Sequence, residues 1–63
     1  MRVKFDVLDR ARRAQGITAA ELMRRVGCDH ANWWRIRERN ATSLDTADRL
    51  CVELGLSLWE VEQ

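Results

Sequence analysis

The chain has 63 residues, 46% hydrophobic and 33% charged, with a net charge of +1, three glycines and no proline. That length makes one domain, near the lower size at which a single core holds without staples, and the composition is that of a soluble globular chain. Neither a long apolar run nor a signal-peptide pattern is present, so the expectation is a cytoplasmic protein with no membrane partner.

The apolar periodicity and the capping residues predict about five helices. The first spans roughly 4–14, with Phe5, Leu8 and Ala11 on one face. The second, roughly 18–26, opens on Thr18 and Glu21, which have capping-box spacing, and carries Leu22 and Val26 four residues apart. Asp29 is a suitable cap for a third helix over roughly 30–38, where Trp33 and Ile36 lie three apart. Ser43 suits the start of a fourth over roughly 44–54, whose inner face is Ala47, Leu50, Cys51 and Leu54. A second capping box, Ser57 with Glu60, begins a short helix over roughly 58–62, and Leu58 and Val61 close the core. Gly16, Gly27 and Gly55 fall where helical patterns end, positions that favour a left-handed residue. Cys28 and Cys51 sit within apolar periodicity and read as small buried hydrophobes in a reducing compartment, not as a disulfide framework. No strand pattern, internal repeat, low-complexity tract or linker competes, and the fold class is all-α.

The run from Gly16 to Ile36 is the most informative. It writes two short amphipathic helices around Gly27, a helix-turn-helix over about 18–38, with Leu22, Val26, Cys28, Trp33 and Ile36 inward and Arg24, Arg25, His30, Asn32 and Arg35 outward. Two helices fixed at a steep angle, with donors on the outer face of the second, suit entry of a helix into a DNA major groove. The modest net charge hides a division along the chain. Residues 1–40 hold ten Lys/Arg and five Asp/Glu, a balance of +5, and residues 41–63 hold one and five, a balance of −4. A basic first part is what phosphate attraction needs.

From Phe5 to Val61 the chain resembles the Cro/C1-type, or XRE-like, helix-turn-helix family, the fold of phage lambda-type repressor DNA-binding domains. The match is spread over Leu8, Gly16-Ile17-Thr18, Glu21-Leu22, Val26-Gly27, Arg35-Ile36, Ser43-Leu44 and Leu54-Gly55-Leu56-Ser57-Leu58. The resemblance implies a compact five-helix, lambda repressor-like domain whose third helix reads double-stranded DNA, in proteins that repress or activate transcription and often dimerise. Three residues depart from the pattern. Ala19 stands where family members tend to carry a DNA-contacting glutamine, Met23 replaces a small residue where the third helix approaches, and Trp33 replaces a medium aliphatic. The loop after the third helix is also about one residue shorter.

By the same resemblance, His30, Ala31 and Arg35 occupy the base-facing positions. Arg35 offers a bidentate fork for guanine, His30 one hydrogen bond and Ala31 only contact with a thymine methyl. Asn32 can pair with adenine or cap its own helix. Trp34 cannot share the core with Trp33, so it packs on the DNA backbone, covers the first helix or meets a partner protein. Arg24, Arg37, Arg39 and Asn40 complete the candidates for backbone contact, while Arg12, Arg13 and Arg25 either do likewise or pair with Asp9 and Glu21. The region of Leu56 and Trp59 can form the dimer contact in the family, which implies a weak homodimer.

Cys28, His30 and Cys51 supply at most three zinc ligands, two of them wanted by the core, and the lone histidine has no triad partner at recognisable spacing. No metal, cofactor, small-molecule ligand or catalysis is expected. The leading expectation is a small sequence-specific transcriptional regulator, repressor-like and of phage or mobile-element type. The alternatives are an interaction module on the same scaffold, antitoxin-like or adaptor, and an architectural recombination factor.

Overall fold

The computed structural model describes residues 1–63. Five helices follow one another: α1 (Phe5–Ala14), α2 (Ala19–Arg25), α3 (Ala31–Arg39), α4 (Leu44–Leu54) and α5 (Leu58–Val61), and the fold is all-α. Each end falls within one residue of its expected place because the local chemistry that sets it is present. The Thr18 hydroxyl accepts from the Glu21 N–H at 3.1 Å, and the Ser43 hydroxyl accepts from the Thr46 N–H at 3.1 Å. Asp29 accepts from the Ala31 N–H at 2.9 Å. These bonds satisfy first-turn amides that have no partner within the helix.

The capping box expected at Thr18 forms only by half. The Glu21 carboxylate does not turn back to the cap; it pairs with Arg24 and with Arg25, the latter at 3.0 Å. Two guanidinium groups three and four residues on offer charge-assisted bonds that one backbone amide cannot match. At α5 the carboxylate half is made, with the Ser57 N–H donating to Glu60 at 2.7 Å.

The turn between α2 and α3 closes on Gly27, whose φ of 75° lies in the left-handed region. The Cys28 N–H then reaches back to the Met23 carbonyl at 2.9 Å and the Gly27 N–H to the Arg24 carbonyl at 3.1 Å, a Schellman-type ending. Only open space surrounds the place a Cβ would occupy, apart from Arg49 at 3.7 Å, so glycine is required here by backbone angle and not by crowding. Asn40 does the same for α3 with a φ of 50°, the one non-glycine residue in that region.

Thirteen buried side chains form the core: Val3, Leu8, Ile17, Leu22, Met23, Val26, Trp33, Ile36, Ala47, Leu50, Cys51, Leu54 and Val61. Met23, whose size left the approach of α3 open, is wholly inside, so its flexible side chain joins the core. Trp33 is accommodated by pairing: the Phe5 ring lies 4.7 Å away, tilted by 55°, and the Arg12 guanidinium sits 5.8 Å from its centroid. Cys51 is buried as expected, and burial with Asp48 and Glu60 nearby pushes its thiol up in pKa. Cys28 departs from expectation, being only half-buried at the edge of the core, because it lies in the turn and not on a helix face.

Residues 1–3, to which the sequence pattern assigns no element, form an extended segment together with Lys4, the residue expected to open the first helix. The Val3 N–H donates to the Asn40 carbonyl at 2.8 Å and the Lys4 N–H to the Val61 carbonyl at 2.7 Å. Isolated antiparallel bridges pair Arg2 with Ala41 and Val3 with Glu62, and Val3 is fully buried between them. No helix is long and apolar enough to cross a membrane.

Candidate nucleic-acid interface

Trp33 and Ile36 anchor α3 by one face, and the 100° step of the helix turns Ala31, Trp34, Arg35 and Glu38 directly away from them. His30 and Arg37 flank this outer face on the Trp34 side, and Asn32 and Arg39 flank it on the other. All are exposed except Asn32, which is half-buried. Ala31 and Arg35 therefore share the outer surface at the start and middle of the helix, and His30 borders it from the N-cap. Asn40 is exposed at its end, where the left-handed turn leads into Ala41.

Trp34 is 50% exposed and stands between two polar neighbours on α3. The His30 ring lies 6.2 Å from it, and the Arg37 guanidinium is 5.6 Å from its centroid, within cation–π range. Its other edge borders a cleft of about 190 Å³ between α1 and α3, which Ala19 leaves open and which Arg13 and Arg37 also line. Trp34 thus faces α1 across the cleft and keeps half its surface free.

The cations divide sharply. Arg12 gives two hydrogen bonds to Asp9 Oδ1, at 3.0 and 2.8 Å, and one to the Ile17 carbonyl at 2.8 Å, with side-chain exposures of 17% for Arg12 and 18% for Asp9. Arg13 pairs with Asp9 at 3.0 Å. Arg24 pairs with Glu21, and Arg25 bridges Glu21 to Glu53 of α4 at 3.3 Å. The Arg24 and Arg25 hydrogen bonds hold the Glu21 carboxyl below its usual range, and Glu21 in turn raises Arg25. Arg10 and Arg49 have i,i+4 partners in Asp6 and Asp45. Of the eleven Lys and Arg residues, that leaves Arg2, Lys4, Arg35, Arg37 and Arg39 with no carboxylate within 4.0 Å. Three of the five lie on α3.

Sequence reasoning passed over Glu38, an exposed carboxylate on the outer face of α3 that makes no ion pair. Its distance of three residues from Arg35 was the available signal. Towards the end of the chain, Leu56 is half-buried against the core, whereas Trp59 is 74% exposed. Cys28, His30 and Cys51 join no group of three or more ligating side chains that could hold a metal ion.

Comparison with known proteins gives one match. A family model described as the Cro/C1-type HTH DNA-binding domain matches residues 7–61. No curated protein and no solved structure matches the chain.

Proposed function

The chain belongs to the Cro/C1-type helix-turn-helix DNA-binding family, and on that premise we propose that it is a sequence-specific transcriptional regulator, repressor-like and of phage or mobile-element type. Residues 1–63 act as a single domain, without catalysis, in the cytoplasm. α3 enters the major groove, where Arg35 takes the O6 and N7 of a guanine, His30 and Ala31 meet neighbouring base edges, and Asn32 reads at the margin. Arg24, Trp34, Arg37, Arg39 and Asn40 hold the sugar–phosphate backbone on either side.

The observation that carries this reading is the state of the α3 arginines. Arg35, Arg37 and Arg39 have no protein carboxylate to satisfy them, although the same chain pairs every arginine on α1 and α2. A partner rich in acceptors and negative charge supplies what they lack. Selection of bound duplexes from a randomised pool at near-physiological salt tests it. A two-fold site with half-sites about one helical turn apart is the expected outcome for a dimer. Retention without enrichment would remove base reading and favour the architectural role.

Trp59 supports a weak homodimer, since a large apolar side chain with most of its surface in water gains by meeting a second copy. Sedimentation at high concentration, with and without DNA, checks this. A monomer under both conditions would make Trp59 the contact for a different protein, as an antitoxin-like or adaptor module requires.

A further inference from the structure

We propose that the extended segment 1–4 is a second contact for DNA backbone phosphates, made by Arg2 and Lys4 beside the end of α3. The proposal rests on the DNA-binding reading and adds to it a part of the chain outside the helix-turn-helix.

Arg2 and Lys4 are two of the five cations without an ion-pair partner. The other three are on α3, and the backbone brings the two groups together. The Val3 N–H bonds the carbonyl of Asn40, the residue that caps α3, and Arg2 bridges Ala41 immediately after it. Antiparallel bridge partners have Cα atoms about 4.5–5.5 Å apart, so Arg2 stands beside the turn that Arg39 and Asn40 lead into. Val3 is buried and its neighbours are exposed, as strand alternation demands, so Arg2 and Lys4 leave the segment on the side facing water. The carboxylates nearest in the chain are Asp6, which faces Arg10, and Glu62, which lies across the bridge from Val3. Neither comes within 4.0 Å of Arg2 or Lys4.

Lys4 carries a second, independent sign. It is the N-cap of α1 and makes no side-chain capping bond there. Serine, threonine, aspartate or asparagine would satisfy a free amide at that place, and a cation faces the positive end of the helix dipole. Asp6 in the first turn supplies the negative charge that this end of the helix favours, and the Lys4 ammonium, with no ion-pair partner, is left to meet a phosphate from outside.

The backbone hydrogen bonds of the segment do not involve either side chain, so substitution leaves the docking intact. The test is a salt titration of binding to a fluorescein-labelled duplex of random sequence. For the double variant Arg2→Ala, Lys4→Ala the slope of log affinity against log salt is expected to fall by about 1.8, at roughly 0.9 per lost phosphate contact. The thermal midpoint and the ratio of selected to random duplex binding stay as in the parent. The charge-keeping variant Arg2→Lys, Lys4→Arg is expected to retain the parental slope. An unchanged slope in the alanine variant, or an equal loss in the charge-keeping one, overturns the proposal. If Arg39→Ala lowers the slope while the alanine pair does not, the segment alone fails and DNA binding stands. A parent that retains no duplex overturns both.

Discussion

α2 and α3 are the two arms of one helix-turn-helix, and they use arginine in opposite ways. On α2, Arg24 and Arg25 close onto Glu21, and Arg25 reaches Glu53, so the charges tie the helix to itself and to α4. On α3, Arg35, Arg37 and Arg39 carry equal charge and have no such closure. Residue type does not separate the two sets, and neither does spacing alone, since Glu38 lies three positions from Arg35 on the outer face and makes no ion pair with it. An arginine's charge is available to a partner in proportion to what the fold leaves unpaired.

The largest change is at the anchor both arms share. Trp33→Ala removes the ring that fixes α3 to Phe5 and Arg12, and is expected to cost about 3–5 kcal/mol, against a total stability of roughly 3–9 kcal/mol for a domain of this size. Chemical denaturation reads this, and a loss under about 1 kcal/mol would mean that α3 is held elsewhere. Arg35→Ala isolates the free charge: about 1–3 kcal/mol of DNA affinity lost, preference relaxed at one base, and thermal midpoint unmoved. An Arg25→Ala variant that relaxed base preference as much would erase the contrast between the arms.

Gly27→Ala acts on the joint between them. The left-handed backbone angle there is expected to cost about 1–2 kcal/mol of stability, read by denaturation, with no clash to relieve. The smallest effect is at Glu21. Its carboxyl titrates below the usual range because Arg24 and Arg25 bond it, so its stabilisation is complete above the ordinary glutamate pKa and lost as pH falls through the lowered value. The difference in midpoint between parent and Glu21→Gln should therefore shrink on acidification; a difference that grew would assign Glu21 another role.

The five helices were legible from local chemistry: a hydroxyl or carboxylate before the first turn of all but α1, a three-to-four spacing of apolar residues, and glycine after α1, α2 and α4. Periodicity alone turned His30, Asn32 and Arg35 outward, and the choice of His30, Ala31 and Arg35 as the base-facing set came from the family resemblance. Segment 1–4 was not legible. One buried valine gives no alternation to recognise, and its partners, Asn40, Ala41 and Glu62, lie at the far end of other elements. The Glu21 box was misread for the opposite reason, a correct spacing with a stronger competitor one turn on. Which cations remained free also needed the fold, since Arg25 finds Glu53 only through packing.

That N-terminal segment also sets an order of events. α1 packs chiefly on α4 and α5, and α2 on α4 as well as α3, so the core itself closes across the chain, and Val3 and Lys4 must in addition wait for both Asn40 and Val61 to be in place. The segment is expected to dock after the barrier has been crossed. Weakening it, as in Val3→Ala, is a change in how long the native state lasts and not in how quickly it is reached: the unfolding arm of the chevron rises and the folding arm stays where it was.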